Sequence, residues 1–187
     1  MGTRNLVIIV SNNETKLAQY NQFDGYPSYM GVNLLNEIKK LDLIDFKEKL
    51  NFLSFADEKT QKSIEDYSKT VDNDKFFSEY PLLHRDVSFE IIPIISQLDK
   101  TTICVDSSNF AGDSLFCEWG YVIDLDKNKF EVYKGFNKTP LTEDERFYNT
   151  PIDDVREIYK QIRLYISFDL NDLPTTDEEF LSQFDEI

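Results

Sequence analysis

The run NLVIIV at residues 5–10 does most to restrict the fold. It is short, β-branched and apolar, and the turn residues SNNET follow it, which is the pattern of a buried strand. KLAQYNQF (16–23) then alternates apolar and polar residues, so the two segments predict an N-terminal hairpin. A second hairpin reads more strongly. LFCEWGYVIDLD (115–126) is a long strand, DKNK a turn, and KFEVYKGF (129–136) the antiparallel return. TTICVD (101–106) and YKQIRLYISFDL (159–170) supply two further strands.

Helical signals lie between and after these strands. Asp24-Gly25 turns the chain, and Pro27-Ser28 launches a helix through GVNLLNEIKKL, with Leu34, Leu35, Ile38 and Leu41 at helical spacing. Residues 42–80 read as a polar helical insertion with charge pairs such as Asp45–Lys49, broken by a loop at VDNDK (71–75). In PLLHRDVSFEIIPIISQL (81–98), Asp86 or Ser88 is expected to cap a helix that turns Phe89, Ile92 and Ile95 inward, with Pro93 kinking or ending it. TEDERF (142–147) has helix potential, and Thr176 caps a closing helix DEEFLSQF. The expectation is one α+β domain over residues 1–187, with about six mainly antiparallel strands.

Composition bounds function more than it assigns it. A 41% hydrophobic content with 14% aromatics can fill a core, so the 29% charged residues do not imply disorder. The net charge of −15, from 35 acidic and 20 basic residues, repels nucleic-acid phosphates and favours a protein partner with a basic surface. Direct nucleic-acid binding is therefore not expected. Beyond Arg163 the chain carries Asp169, Asp172, Asp177, Glu178, Glu179, Asp185 and Glu186 with no basic residue, and the last five are candidate binding residues. Cys104 and Cys117 sit in apolar runs and read as buried thiols. One histidine and no CxxC motif argue against zinc. DLDKNK resembles the start of a calcium loop, but Lys129 stands where the loop needs Gly and Gly135 where it needs Glu. No metal and no cofactor are expected. Five consecutive apolar residues near the start are too few for a signal peptide or a span, so a cytoplasmic protein without membrane association is expected.

Several segments together, AQYNQFDGYP, LHRDVS, EWGYVIDLDKNKFEVYKG and LPTTDEEFL, resemble in this order an uncharacterised protein family of fungi, bacteria and bacteriophages. Its members read AQYGQWDGYP and EWAYVIDLD at the first and third. This sequence departs at Asn21, where glycine is common, at Phe23, where Trp is frequent, and through 42–80. The resemblance implies one domain, this strand order and a phage or mobile-element connection. It implies no activity.

Four groups are candidate sites. Gln22, Asp24 and Tyr26 form a polar loop suited to ligand contacts or simply to turning the chain. In His84-Arg85-Asp86, the histidine is the one side chain that ordinarily titrates near neutrality, although the kinase motifs that accompany HRD are missing. Glu118 beside Trp119 is a carboxylate in an apolar setting. Gly2-Thr3 before an apolar strand is weakly similar to the maturation junction of N-terminal-nucleophile hydrolases, in which a freed threonine reacts. Two function classes follow. One is a non-catalytic acidic binding protein, such as an inhibitor or an anti-defence accessory. The other is a hydrolase using Thr3, or a pocket around His84, Asp24 and Glu118.

Overall fold

A computed structural model describes residues 2–152 and 158–184. Its strands are β1 (Asn5–Ser11), β2 (Glu14–Asn21), β3 (Leu53–Phe55), β4 (Thr102–Cys104), β5 (Trp119–Asp124), β6 (Lys129–Lys134) and β7 (Arg163–Asp169). Its α-helices are α1 (Val32–Ile38), α2 (Leu43–Lys49), α3 (Glu58–Ser68), α4 (Asn73–Glu79), α5 (Ile91–Ser96) and α6 (Asp177–Leu181). The α+β class is as expected. Both hairpins form, and they join edge to edge into one sheet of order β2-β1-β5-β6-β7.

That join is parallel: β1 runs beside β5, with Asn5 next to Trp119 and Val10 next to Asp124. All other pairings in the sheet are antiparallel. The parallel centre explains why NLVIIV and WGYVID are apolar on both faces, since each strand is covered on both sides. Every residue of β5 is buried. One face packs Val7, Ile9, Tyr121, Ile123 and Phe130 against α1, α5 and α6. The other packs Leu6, Ile8, Val122 and Tyr133 under the irregular segments that contribute Ala111, Leu141, Phe147 and Ile162.

Several expectations need correction. The third strand, TTICVD, does not enter the main sheet. It shortens to β4 and pairs in parallel with β3, a strand hidden inside the polar insertion. Residues 115–118 precede rather than extend β5, because Cys117 N–H bonds back to Asp113 O at 2.8 Å. TEDERF forms turns rather than a helix. There Arg146 turns inward and donates to Asp124 Oδ2 at 2.6 Å and Glu131 Oε2 at 2.8 Å, which pins the segment to the sheet. Neither Asp86 nor Ser88 caps α5. Ser88 instead adopts φ 59°, and its N–H is taken by Asn21. Pro93 lies in the first turn of α5, where its missing N–H has no helical partner to lose, and the helix runs on to Ser96. The insertion helices start as charged polar stretches should: Asp42, Asp57 and Asp72 each accept first-turn N–H bonds. Among the described residues, no helix is long and apolar enough to cross a membrane.

Candidate functional site

The segment QFDGYP leaves β2 at the end of the sheet where β1 begins, and three anchors hold it. Gly25 N–H donates to Thr3 O at 2.9 Å, and the buried Tyr121 hydroxyl donates to Gly25 O at 2.7 Å. Asn5 Nδ2 donates to Phe23 O at 3.4 Å. Gly25 is required by space, because a Cβ there would lie 2.8 Å from Asn5 Cβ and 2.9 Å from Thr3 O. Asp24 takes the left-handed turn instead, at φ 52°, a conformation that Asp tolerates better than most residues. Tyr26 O then receives N–H bonds from Tyr29, Met30 and Gly31, so Pro27–Gly31 winds as a single π turn into α1. Held this way, the segment keeps Phe23, Tyr26 and Tyr29 more than 40% exposed. Exposed aromatic rings on an anchored backbone favour contact with a partner.

The facing wall is the turn His84–Ser88. Gln22 N–H donates to Arg85 O at 3.2 Å, which docks the turn on the outer edge of β2. Asn21 is buried and bridges the two sides: its Nδ2 donates to Asn5 Oδ1 at 3.2 Å, and its Oδ1 accepts Ser88 N–H at 2.9 Å. Between the walls lies a recess of about 190 Å³ lined by Asn21, Phe23, Asp24, Tyr29, Asp86 and Ser88. Asp86 Oδ2 accepts from Arg85 Nε at 3.3 Å, and the Arg85 guanidinium stands 5.8 Å from the Phe23 ring centre. Asp86 Oδ1 is buried and has no hydrogen-bond partner. Such an atom costs stability unless a donor completes it.

Behind the same turn, between β2 and α3, runs a groove of about 700 Å³. Ile64, Phe76 and Leu82 provide apolar surface, while Glu58, Glu65, Lys62 and Arg85 bring charge of both signs to its lining. Tyr20 lies along it. Its hydroxyl donates a short hydrogen bond to Gln22 Oε1, and burial raises its pKa against the opposing pull of Arg4 and Arg85.

The structure therefore brings Gln22 and Asp24, though not Tyr26, together with the HRD segment, although their sequence positions are about sixty residues apart. It does not gather the proposed hydrolytic group. His84 Nδ1 accepts Asp86 N–H at 3.1 Å, and the ring packs edge-on against Phe77, 4.5 Å between centres. Glu118 is tied to Arg4, whose N–H donates to Glu118 Oε1 at 3.4 Å. Among the described residues no hydrogen bond links His84, Asp24 and Glu118. Thr3 is buried, with its carbonyl committed to Gly25. Asp177 and Glu179 serve α6 and its neighbours: Asp177 accepts from Asn36 Nδ2 at 3.0 Å, and Glu179 accepts from Thr175 N–H at 2.6 Å. Glu178 remains exposed, and Asp185 and Glu186 lie outside the described residues. Both cysteines are buried free thiols, and burial pushes Cys104 up to about 12. No group of three or more His, Cys, Asp or Glu suited to a metal occurs among the described residues.

The sequence reading missed Asn5, Asn21, Phe23 and Tyr29. One signal was available: Asn5 is the single polar residue heading an apolar run. Comparisons with protein-family models, curated proteins and solved structures found no match.

Proposed function

We propose that this chain is a non-catalytic acidic binding protein that docks a basic segment of a protein partner on the face formed by QFDGYP, the 84–88 turn and the α3 groove. One observation carries the reading. A recess walled by Asp24 and Asp86 is rimmed by exposed Phe23 and Tyr29 and opens beside a largely apolar groove. Aromatic anchors next to carboxylates are the chemistry that receives cationic side chains. The net charge of −15 adds long-range attraction for a basic partner. A basic surface of this kind is what nucleic-acid-handling proteins present, so an inhibitor or anti-defence accessory of cytoplasmic phage or mobile-element origin fits the same reading.

The test uses a fluorescent arginine- and lysine-rich peptide, titrated at low and at physiological ionic strength. Binding should weaken several-fold as salt screens the charges. Phe23→Ala, which leaves the charge unchanged, should weaken it further. Salt-insensitive binding, or a Phe23→Ala variant that binds like the parent, overturns the proposal.

A further inference from the structure

We infer that the recess beside Asp86 accepts one guanidinium group, an arginine side chain of the partner. The inference rests on the docking proposal and names the group that is captured. Size is the first argument. At about 190 Å³ the recess falls below the roughly 300 Å³ at which pockets begin to hold whole small molecules, so it suits one side chain. Composition is the second. Its walls carry two aromatic rings, Phe23 and Tyr29, and two carboxylates, Asp24 and Asp86. A flat, weakly hydrated cation with forked donors can stack on such rings while donating to the acids.

The third argument is an unmet acceptor. Asp86 Oδ1 has no donor and almost no accessible surface, while Oδ2 is already engaged, so the carboxyl must turn about its Cβ–Cγ bond to meet the incoming group. The fourth is the chain's own Arg85. With its guanidinium 5.8 Å from the Phe23 ring and its Nε 3.3 Å from Asp86 Oδ2, it already pairs with the outer side of these groups. An incoming arginine would make the same kinds of contact from the inner side. The bonding is noncovalent throughout. Charged groups facing the recess are Asp24 and Asp86 on its walls and Arg85 outside it. A neutral ligand would add no cation to the one that Arg85 already supplies to Asp86.

The experiment follows backbone and side-chain amide shifts of the intact protein during titration with N-acetyl-arginine methylamide, its lysine counterpart, free arginine and a basic peptide in arginine and all-lysine forms. The blocked arginine should perturb Ser88 N–H and the Asn21 side-chain amide, and bind at least about threefold tighter than the lysine counterpart. Asp86→Asn should weaken it about tenfold. Asp24→Asn is a second variant that keeps the left-handed turn, and it should weaken binding by a smaller factor. Equal binding of the arginine and lysine probes, or shifts confined to other surfaces, overturns the inference. Should the peptide bind equally in both forms, the docking proposal stands and the guanidinium assignment falls. If free arginine binds as tightly as the arginine peptide, the assignment stands and the protein partner falls.

Discussion

The two ends of the central sheet treat their carboxylates differently, although each end also holds another buried group without a partner, Ser11 Oγ at one and Arg4 Nε at the other. Where β5 ends, Asp124, Glu131, Tyr133 and Arg146 form a closed network. Arg146 Nη2 bonds to Asp124, and its Nε bonds to Glu131 and to the Tyr133 hydroxyl, which itself donates to Glu131 at 2.8 Å. Asp124 also accepts the N–H groups of Asp126 and Lys127, and Asp126 reaches across to Asn12 and Asn13. Burial pushes the Asp124 carboxyl up, but Arg146 and those N–H donors outweigh it and hold it below its ordinary value. Where β1 begins, Asn5 and Asn21 are likewise bonded, yet Asp86 keeps a buried oxygen unmet beside an open recess. A closed network rigidifies and locates a fold, while a buried group left unpaired is costly. On the docking proposal, one end is scaffold and the other is the recognition surface.

Removing charge should therefore have unequal effects on the two ends. Arg146→Met leaves Asp124 and Glu131 buried without their cation and should destabilise by roughly 3–5 kcal/mol, read from the denaturant midpoint at unchanged slope. A loss under about 1 kcal/mol would dissolve the distinction between the ends.

A smaller effect comes from the surface pair beside that network. Arg163 donates to both Glu145 oxygens at 2.8 Å and holds the carboxyl at about 2, below its ordinary 4.5. A carboxyl lowered by folding adds stability above its unfolded value and loses it as pH falls through the folded one. The stability difference between the parent and Glu145→Gln should thus be constant above about pH 5 and vanish between pH 4.5 and about 2. Solvent screening keeps it under about 1 kcal/mol. A difference that grows toward low pH would reverse the assignment.

The smallest effect is expected at the open end. Asp86→Asn should change stability by less than about 0.5 kcal/mol in either direction, because Oδ1 has no partner to lose and the Arg85 pair at Oδ2 is screened by solvent. Thermal melts of Asp86→Asn beside Arg146→Met measure the comparison directly. A large loss for Asp86→Asn would show that the recess is structural.

Much of the scaffold was legible from local rules. Both hairpins, the Asp24-Gly25 turn, the helix entering at Pro27 and the Thr176 cap are fixed by side-chain period and turn chemistry within a few neighbouring residues. Gln22, Asp24 and Tyr26 stood out for the same reason; of these, Asp24 lines the recess and Gln22 bonds to Arg85 beside it. The strand ends were less readable, since an apolar run such as LFCEW does not say which of its residues find a pairing partner. Arg146 was misread because helix potential in TEDERF is weak beside the reward of pairing a buried Asp124.

What the chain determined by itself is its alternation and its excess of acid. These are properties of neighbouring residues or of their sum, and they set an α+β layout and a net charge of −15. Only the tertiary structure could place β1 parallel to β5, lay the 84–88 turn along β2, or leave Asp86 Oδ1 without a donor. Each of these depends on groups far apart in sequence meeting in space. Their energies come from burial and hydrogen-bond geometry that no local pattern encodes.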